Sequence, residues 1–136
     1  MSKIATSLEQ SRKLSEFLSG ESSDMHYAFM GIGGAAFQDI LDKTAILLPG
    51  NKNNKYPYEP AWSLTSLYEL LPNKIEHDFK TYFFKMETDI YDDGIKYYSL
   101  GYQSGGGNGW LCYEDDVDLV DCCVKIMLKL KELELI

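Results

Sequence analysis

Two histidines and three cysteines are the whole supply of imidazole and thiol in this chain. Structural zinc sites are built from spaced cysteine and histidine pairs. Cys122 and Cys123 are adjacent, which excludes that pattern and is poor geometry for a mutual disulfide. An odd cysteine count without spaced pairs is no disulfide framework. No apolar run approaches the roughly 20 residues a membrane helix requires, so no membrane association is expected. The opening Met1-Ser2-Lys3-Ile4-Ala5-Thr6 lacks the apolar centre of a secretory leader, and a cytoplasmic location is expected. Basic residues are also scarce, 13 against 21 acids, and a net charge of −8 argues against direct nucleic-acid binding.

The material that remains is that of one domain. The chain has 136 residues, 45% of them hydrophobic, enough for a packed core over 1–136. One stretch is punctuated at both ends: Pro60-Ala61-Trp62-Ser63-Leu64, closing on Leu70-Leu71-Pro72. Ser63 suits a helix N-cap. Trp62 and Leu67 have the spacing of a hydrophobic staple around it. Leu64, Leu67, Leu70 and Leu71 repeat at helical spacing, and Pro72 stops the helix. Trp62 is then either a wedge in the core or an anchor for a ligand.

Around this centre the pattern is mixed. Thr6 and Glu9 have capping-box spacing, which predicts a helix over about 6–19 ending at Gly20. Met25–Met30 and Thr44–Leu48 read as strands. Gly31–Gly34 lacks the lysine and spacing of a phosphate loop and reads as a turn; Ala35–Lys43 fits either a helical turn or an irregular segment. Phe79–Glu87, Ile95–Tyr102 and Trp110–Tyr113 read as three strands, joined by an Asp92-Asp93-Gly94 turn and the loop Gln103–Gly109. That loop could close over a ligand or simply join strands. Asp115 or Asp116 is expected to cap a final helix over about 116–134 with a wide apolar face. The composite is an α+β fold: an antiparallel sheet of about four or five strands carrying an N-terminal helix, a short central helix and a long C-terminal helix.

Charge is concentrated. Between Glu87 and Asp121 stand nine acids and one base, Lys96, a difference equal to the net charge of the whole chain. If the three strands form a meander, Asp89, Asp92 and Asp93 end beside Glu114, Asp115, Asp116 and Asp118. Such an end could dock a basic partner or supply oxygen ligands to a hard cation, although Asp89–Gly94 does not follow the spacing of a calcium loop. Tyr97, Tyr98, Tyr102 and Tyr113 lie on the meander; several on one exposed face would make an aromatic surface for protein contact, and on the buried face they would be core with hydroxyls at the rim. Cys112 beside His26 would be a nucleophile and base if their strands were neighbours.

Several of these elements resemble a family of small proteins of bacteriophages and mobile elements of gut anaerobes. The resemblance rests on Glu9-Gln10-Ser11, Ser23-Asp24-Met25, Pro60-Ala61-Trp62-Ser63-Leu64, Leu70-Leu71-Pro72, Gly101-Tyr102, and a last helix with Asp121, Cys123, Val124 and Leu130. It implies a phage-related origin and offers no catalytic residues to carry over. The expectation is a non-catalytic interaction module without a cofactor, contacting a protein partner or a second copy of itself. Its candidate contact residues are Asp89, Asp92, Asp93, Glu114, Asp115, Asp116, Asp118, Trp62 and Trp110. The alternative is a small enzyme or metal protein using the acidic end or a Cys/His pair.

Overall fold

In the computed structural model the described residues are 3–30 and 45–136. The Gly31–Gly34 turn and the Ala35–Lys43 stretch considered above lie outside them. By its internal contacts the chain divides into two compact units, Ile4–Ser66 and Met1–Lys3 with Leu67–Ile136. The division falls within the central helix α2 (Leu64–Leu70). The fold is α+β, and the antiparallel strands are shared between two sheets, one in each unit.

The first unit holds α1 (Leu8–Ser15), a 3-10 turn (Gly20–Ser22) and strands β1 (Met25–Phe29), β2 (Ala45–Pro49) and β3 (Tyr58–Ala61), ordered β2-β1-β3. The β3 stretch is extended between Pro57 and Pro60, and it pairs as an edge strand, where a residue without an amide proton is tolerated. The cap of α1 is Ser7, not Thr6. The Ser7 hydroxyl accepts from the Gln10 amide at 3.2 Å, and the Gln10 side chain accepts from the Ser7 amide at 2.9 Å. Thr6 is buried instead. Its hydroxyl bonds Ser11 at 2.8 Å and accepts from the Trp62 amide at 3.1 Å, while its own amide donates to the Trp62 carbonyl at 2.9 Å. Tyrosine 27 adds a bond to the Thr6 carbonyl at 2.7 Å. A threonine one residue before the cap thus joins the N-terminal segment to Trp62, the residue that follows β3.

Ser63 caps α2 as its position predicts, accepting from the Ser66 amide at 3.2 Å. Asp24 holds that cap. Its carboxylate accepts from the Ser63 amide at 2.8 Å, from the Ser66 hydroxyl at 2.9 Å, and from the Ser63 hydroxyl in a short bond.

The second unit is a meander, β4 (Lys74–His77), β5 (Lys80–Ile90), β6 (Lys96–Ser104) and β7 (Trp110–Asp116), followed by α3 (Leu119–Glu132). Asp78 and Phe79 form the two-residue β4–β5 turn, both with positive φ, 48° and 63°. Phe79 is therefore a turn residue and not the first residue of a strand. The α3 cap is Asp118, not Asp115 or Asp116, which remain in β7; the Asp118 carboxylate accepts from the Asp121 amide at 3.0 Å. The helix packs on β6 and β7. Val120, Cys122, Cys123, Val124, Ile126, Met127 and Leu130 are buried along it, which accounts for its wide apolar face.

Candidate interaction surface

The pairing register defines two faces of the four-stranded sheet. Phe84, Tyr102 and Cys112 form one cross-strand row, and Met86, Leu100 and Glu114 the next. Leu100, Tyr102 and Cys112 are buried, and the Cys122 thiol of α3 lies 3.2 Å from the Glu114 carbonyl, so this is the helix face. The buried Tyr102 hydroxyl is satisfied by the Pro72 carbonyl at 2.7 Å.

The opposite face carries Phe83, Gln103 and Trp110 in one row, Lys85, Gly101 and Tyr113 in the next, and Glu87, Ser99 and Asp115 beyond them. Phe83, Trp110 and Tyr113 are 48%, 38% and 54% exposed. Trp110 reaches this face because of a bulge. Tyr102 pairs with Cys112 but Gln103 pairs with Trp110, so Leu111 is an extra residue. One extra residue changes which face the preceding side chains occupy. Gly101 makes room for the result: a Cβ there would meet the Cys112 carbonyl oxygen and Tyr113 Cβ at 2.6 Å and the Trp110 ring at 2.9 Å. The two rings contact each other, with centroids 5.7 Å apart. Next to them Lys85 donates to the Gln103 side chain at 3.1 Å. Phe83, Lys85, Gln103 and Gly105–Gly107 line an open cleft of about 400 Å³.

The meander brings both acidic clusters to one end of the sheet: Asp89 pairs with Tyr97, and the neighbouring Tyr98 pairs with Asp116. Most of these acids already have partners. Asp116 faces the helix and pairs with Lys125 at 2.8 Å. Burial raises its pKa, but Lys125 and backbone donors outweigh that and hold the carboxyl below the usual carboxylate range, while the Lys125 ammonium is held above its usual value by Asp116. Asp118 caps α3 and also accepts from the Lys3 amide at 2.9 Å; the Lys3 ammonium meets Asp121 at 2.7 Å. Asp93 accepts from the Ile95 amide at 2.8 Å within its turn, and Asp89 from the Ile90 amide at 2.9 Å. Asp115 accepts from the Ser99 hydroxyl at 2.8 Å, and Asp92 is exposed at the turn. Among the described residues no three His, Cys, Asp or Glu side chains are arranged to hold a metal ion.

Trp62 leaves the candidate surface. It is 0% exposed, and its indole nitrogen donates to the Ser22 hydroxyl at 3.0 Å. The suggested Cys112–His26 pair is divided between the two units. His26 is buried with both ring nitrogens engaged, Nδ1 2.8 Å from the Gly50 carbonyl and Nε2 3.1 Å from the Asn53 amide nitrogen. A carbonyl only accepts, so Nδ1 carries the proton. Burial pushes all three thiols up, Cys122 to about 11 and Cys123 to about 12, which keeps them protonated and weakly nucleophilic.

The sequence pattern named Trp110 and Tyr113 but not Phe83, and an even strand period turns Trp110 to the face opposite Tyr113. The available signal was Gly101, a glycine inside a strand, which marks close approach of other groups. No helix among the described residues is long and apolar enough to cross a membrane. The sequence matches no family model, and neither the curated proteins nor the solved structures gave a significant match.

Proposed function

We propose that this protein is a non-catalytic interaction module, and that the sheet face opposite α3 is its contact surface. The observation that carries this reading is the exposed Trp110–Tyr113 pair seated over Gly101 by the Leu111 bulge. Bulges re-aim side chains and are retained where that serves a site. Exposed aromatics at a rigid sheet face supply large contact area at small entropic cost. Along the same face the aromatic rows give way to Glu87, Asp89 and Asp115. The matching partner is a protein segment with an apolar or aromatic residue for the Phe83–Trp110–Tyr113 patch and lysine or arginine for the acidic rows. We place this activity in the cytoplasm and, on the resemblance noted above, in a phage or mobile element.

Selection from a random peptide library against the intact protein tests the reading. Enriched peptides should combine aromatic and basic residues, and a Trp110→Ala, Tyr113→Ala double variant with an unchanged circular dichroism spectrum should lose them. Equal enrichment on the double variant removes this face from the function. Light scattering reads the other occupant, a second copy: a dimer that the double variant returns to monomer assigns the face to self-association.

A further inference from the structure

The outer edge of β5 is paired over only part of its length. β4 pairs with residues 80–83, and the last bond of that ladder runs from the Phe84 amide to the Asn73 carbonyl at 2.9 Å. The ladder ends there, and the next residue back is Pro72. On its inner side β5 stays paired with β6 from Tyr82 through Ile90. Residues 85–90 are therefore held extended by one neighbour, exposed, and without a second neighbour among the described strands.

Backbone direction alternates along a strand. The Phe84 amide points outward, so those of Met86, Thr88 and Ile90 do too. The Ile90 amide is taken by the Asp89 carboxylate. Met86 and Thr88 each present an N–H and a C=O that no described strand pairs with. We propose that this edge accepts an extended segment of a protein partner as an added strand, collinear with β4. The proposal rests on the interaction-module reading and names its mode of attachment.

Charge selects the occupant. The side chains of Glu87 and Asp89 lie on the exposed sheet face, and Met86 and Ile90 on the other, where they are 44% and 67% exposed. Directly opposite residues on adjacent strands share a face, and unlike charges there attract. Lys85 on the same face meets Glu87 at 3.4 Å, which leaves one carboxylate charge in excess, and the added strand therefore alternates cationic and apolar residues. A second copy is restricted to one register. Of the antiparallel pairs of β5 edges that use five residues of each with outward groups matched, one sets Glu87 against Asp89 twice, and the other sets Glu87 against Glu87 while placing Lys85 opposite Asp89.

The test is a titration of the isotopically labelled intact protein with a capped eight-residue peptide alternating lysine and valine, followed by amide NMR. The Met86 and Thr88 amides should shift and become protected from hydrogen exchange. Glu87→Lys with Asp89→Lys, two exposed changes, should weaken binding by roughly tenfold. A peptide of equal charge alternating lysine and proline cannot form the ladder and should not bind. Equal binding of the proline peptide overturns the proposal in favour of bare charge attraction. Shifts confined to Phe83, Trp110 and Tyr113 overturn it while keeping the contact face, and no shift at millimolar peptide removes both.

Discussion

Trp110 and Tyr113 stand three residues apart in β7 and yet share one face, their ring centroids 5.7 Å apart and tilted by 45°. A regular strand would place them on opposite faces, because its side chains alternate. The extra residue, Leu111, breaks the alternation, and Gly101 on β6 leaves the space into which both rings settle. Without the bulge, Trp110 would turn toward the helix side, where Tyr102 and Cys112 already fill the core.

Gly101→Ala should therefore disturb stability and the surface together. The new methyl group would lie 2.6 Å from a backbone carbonyl of β7, and backbone cannot move aside as a flexible side chain can. Overpacking of this kind costs about 1–3 kcal/mol. Chemical denaturation should show that loss. Acrylamide should quench more of the tryptophan emission as Trp110 is lifted from the sheet, while the fully buried Trp62 remains shielded. An unchanged midpoint and unchanged quenching would mean that β7 slides past Gly101 at no cost.

Asp24 gives the α2 cap a pH dependence of defined sign. Burial raises the pKa of this carboxyl, but the hydrogen bonds from Ser63 and Ser66 outweigh it and hold the group below the usual carboxylate range. A depressed native value means that the unfolded chain takes up the proton first as pH falls. The stabilisation is complete above about pH 4 and is lost as pH drops through the native value. Asp24 is largely exposed, so its worth is that of a charged capping network discounted for solvent, about 1–2 kcal/mol. Asp24→Ala should lower stability by about that amount at pH 7 and flatten the acid limb of stability against pH. Urea midpoints between pH 2.5 and 7 check this. Asp116 has a depressed value for a similar reason, so Asp116→Asn is the control that leaves the α2 share of the limb intact.

The parts legible from sequence were those set by local chemistry. The Ser63 cap, the Pro72 stop, the β5–β6 turn at Asp92-Asp93-Gly94 and the broad apolar stripe of the last helix follow from propensity and period alone. Three features depended on partners that propensity and period do not name. Thr6 looked like a cap because Glu9 lies three residues on, but its hydroxyl is engaged by Ser11 and the Trp62 amide, so Ser7 caps instead. Lys74–His77, four residues with two charges, carry little strand signal of their own; pairing with β5 makes them β4. The acids from Glu114 to Asp118 looked like one free patch, whereas Lys3 and Lys125 reach across from the N-terminus and the helix. The Trp110 face was illegible for the same reason, since a bulge is a property of a strand pair.

Phe79 supplies the last prediction. It is fully exposed at the β4–β5 turn and adopts a left-handed conformation with φ 63°. A side chain in that conformation costs about 1–2 kcal/mol, and a two-residue turn with both φ values positive favours glycine at its second position. Phe79→Gly should relieve the strain at the expense of about 0.4–1 kcal/mol of extra unfolded-state entropy. The net gain of up to about 1 kcal/mol corresponds to a Tm rise of a few degrees in a chain of this size. Phe79→Ala keeps a Cβ in the strained position and should gain nothing. Calorimetry on the pair separates the two causes: equal gains would assign the effect to removal of an exposed ring, and a loss in the glycine variant would mean that the ring makes contacts that stabilise the turn. The turn lies at the opposite end of β5 from residues 85–90, so the glycine variant should bind the lysine–valine peptide unchanged.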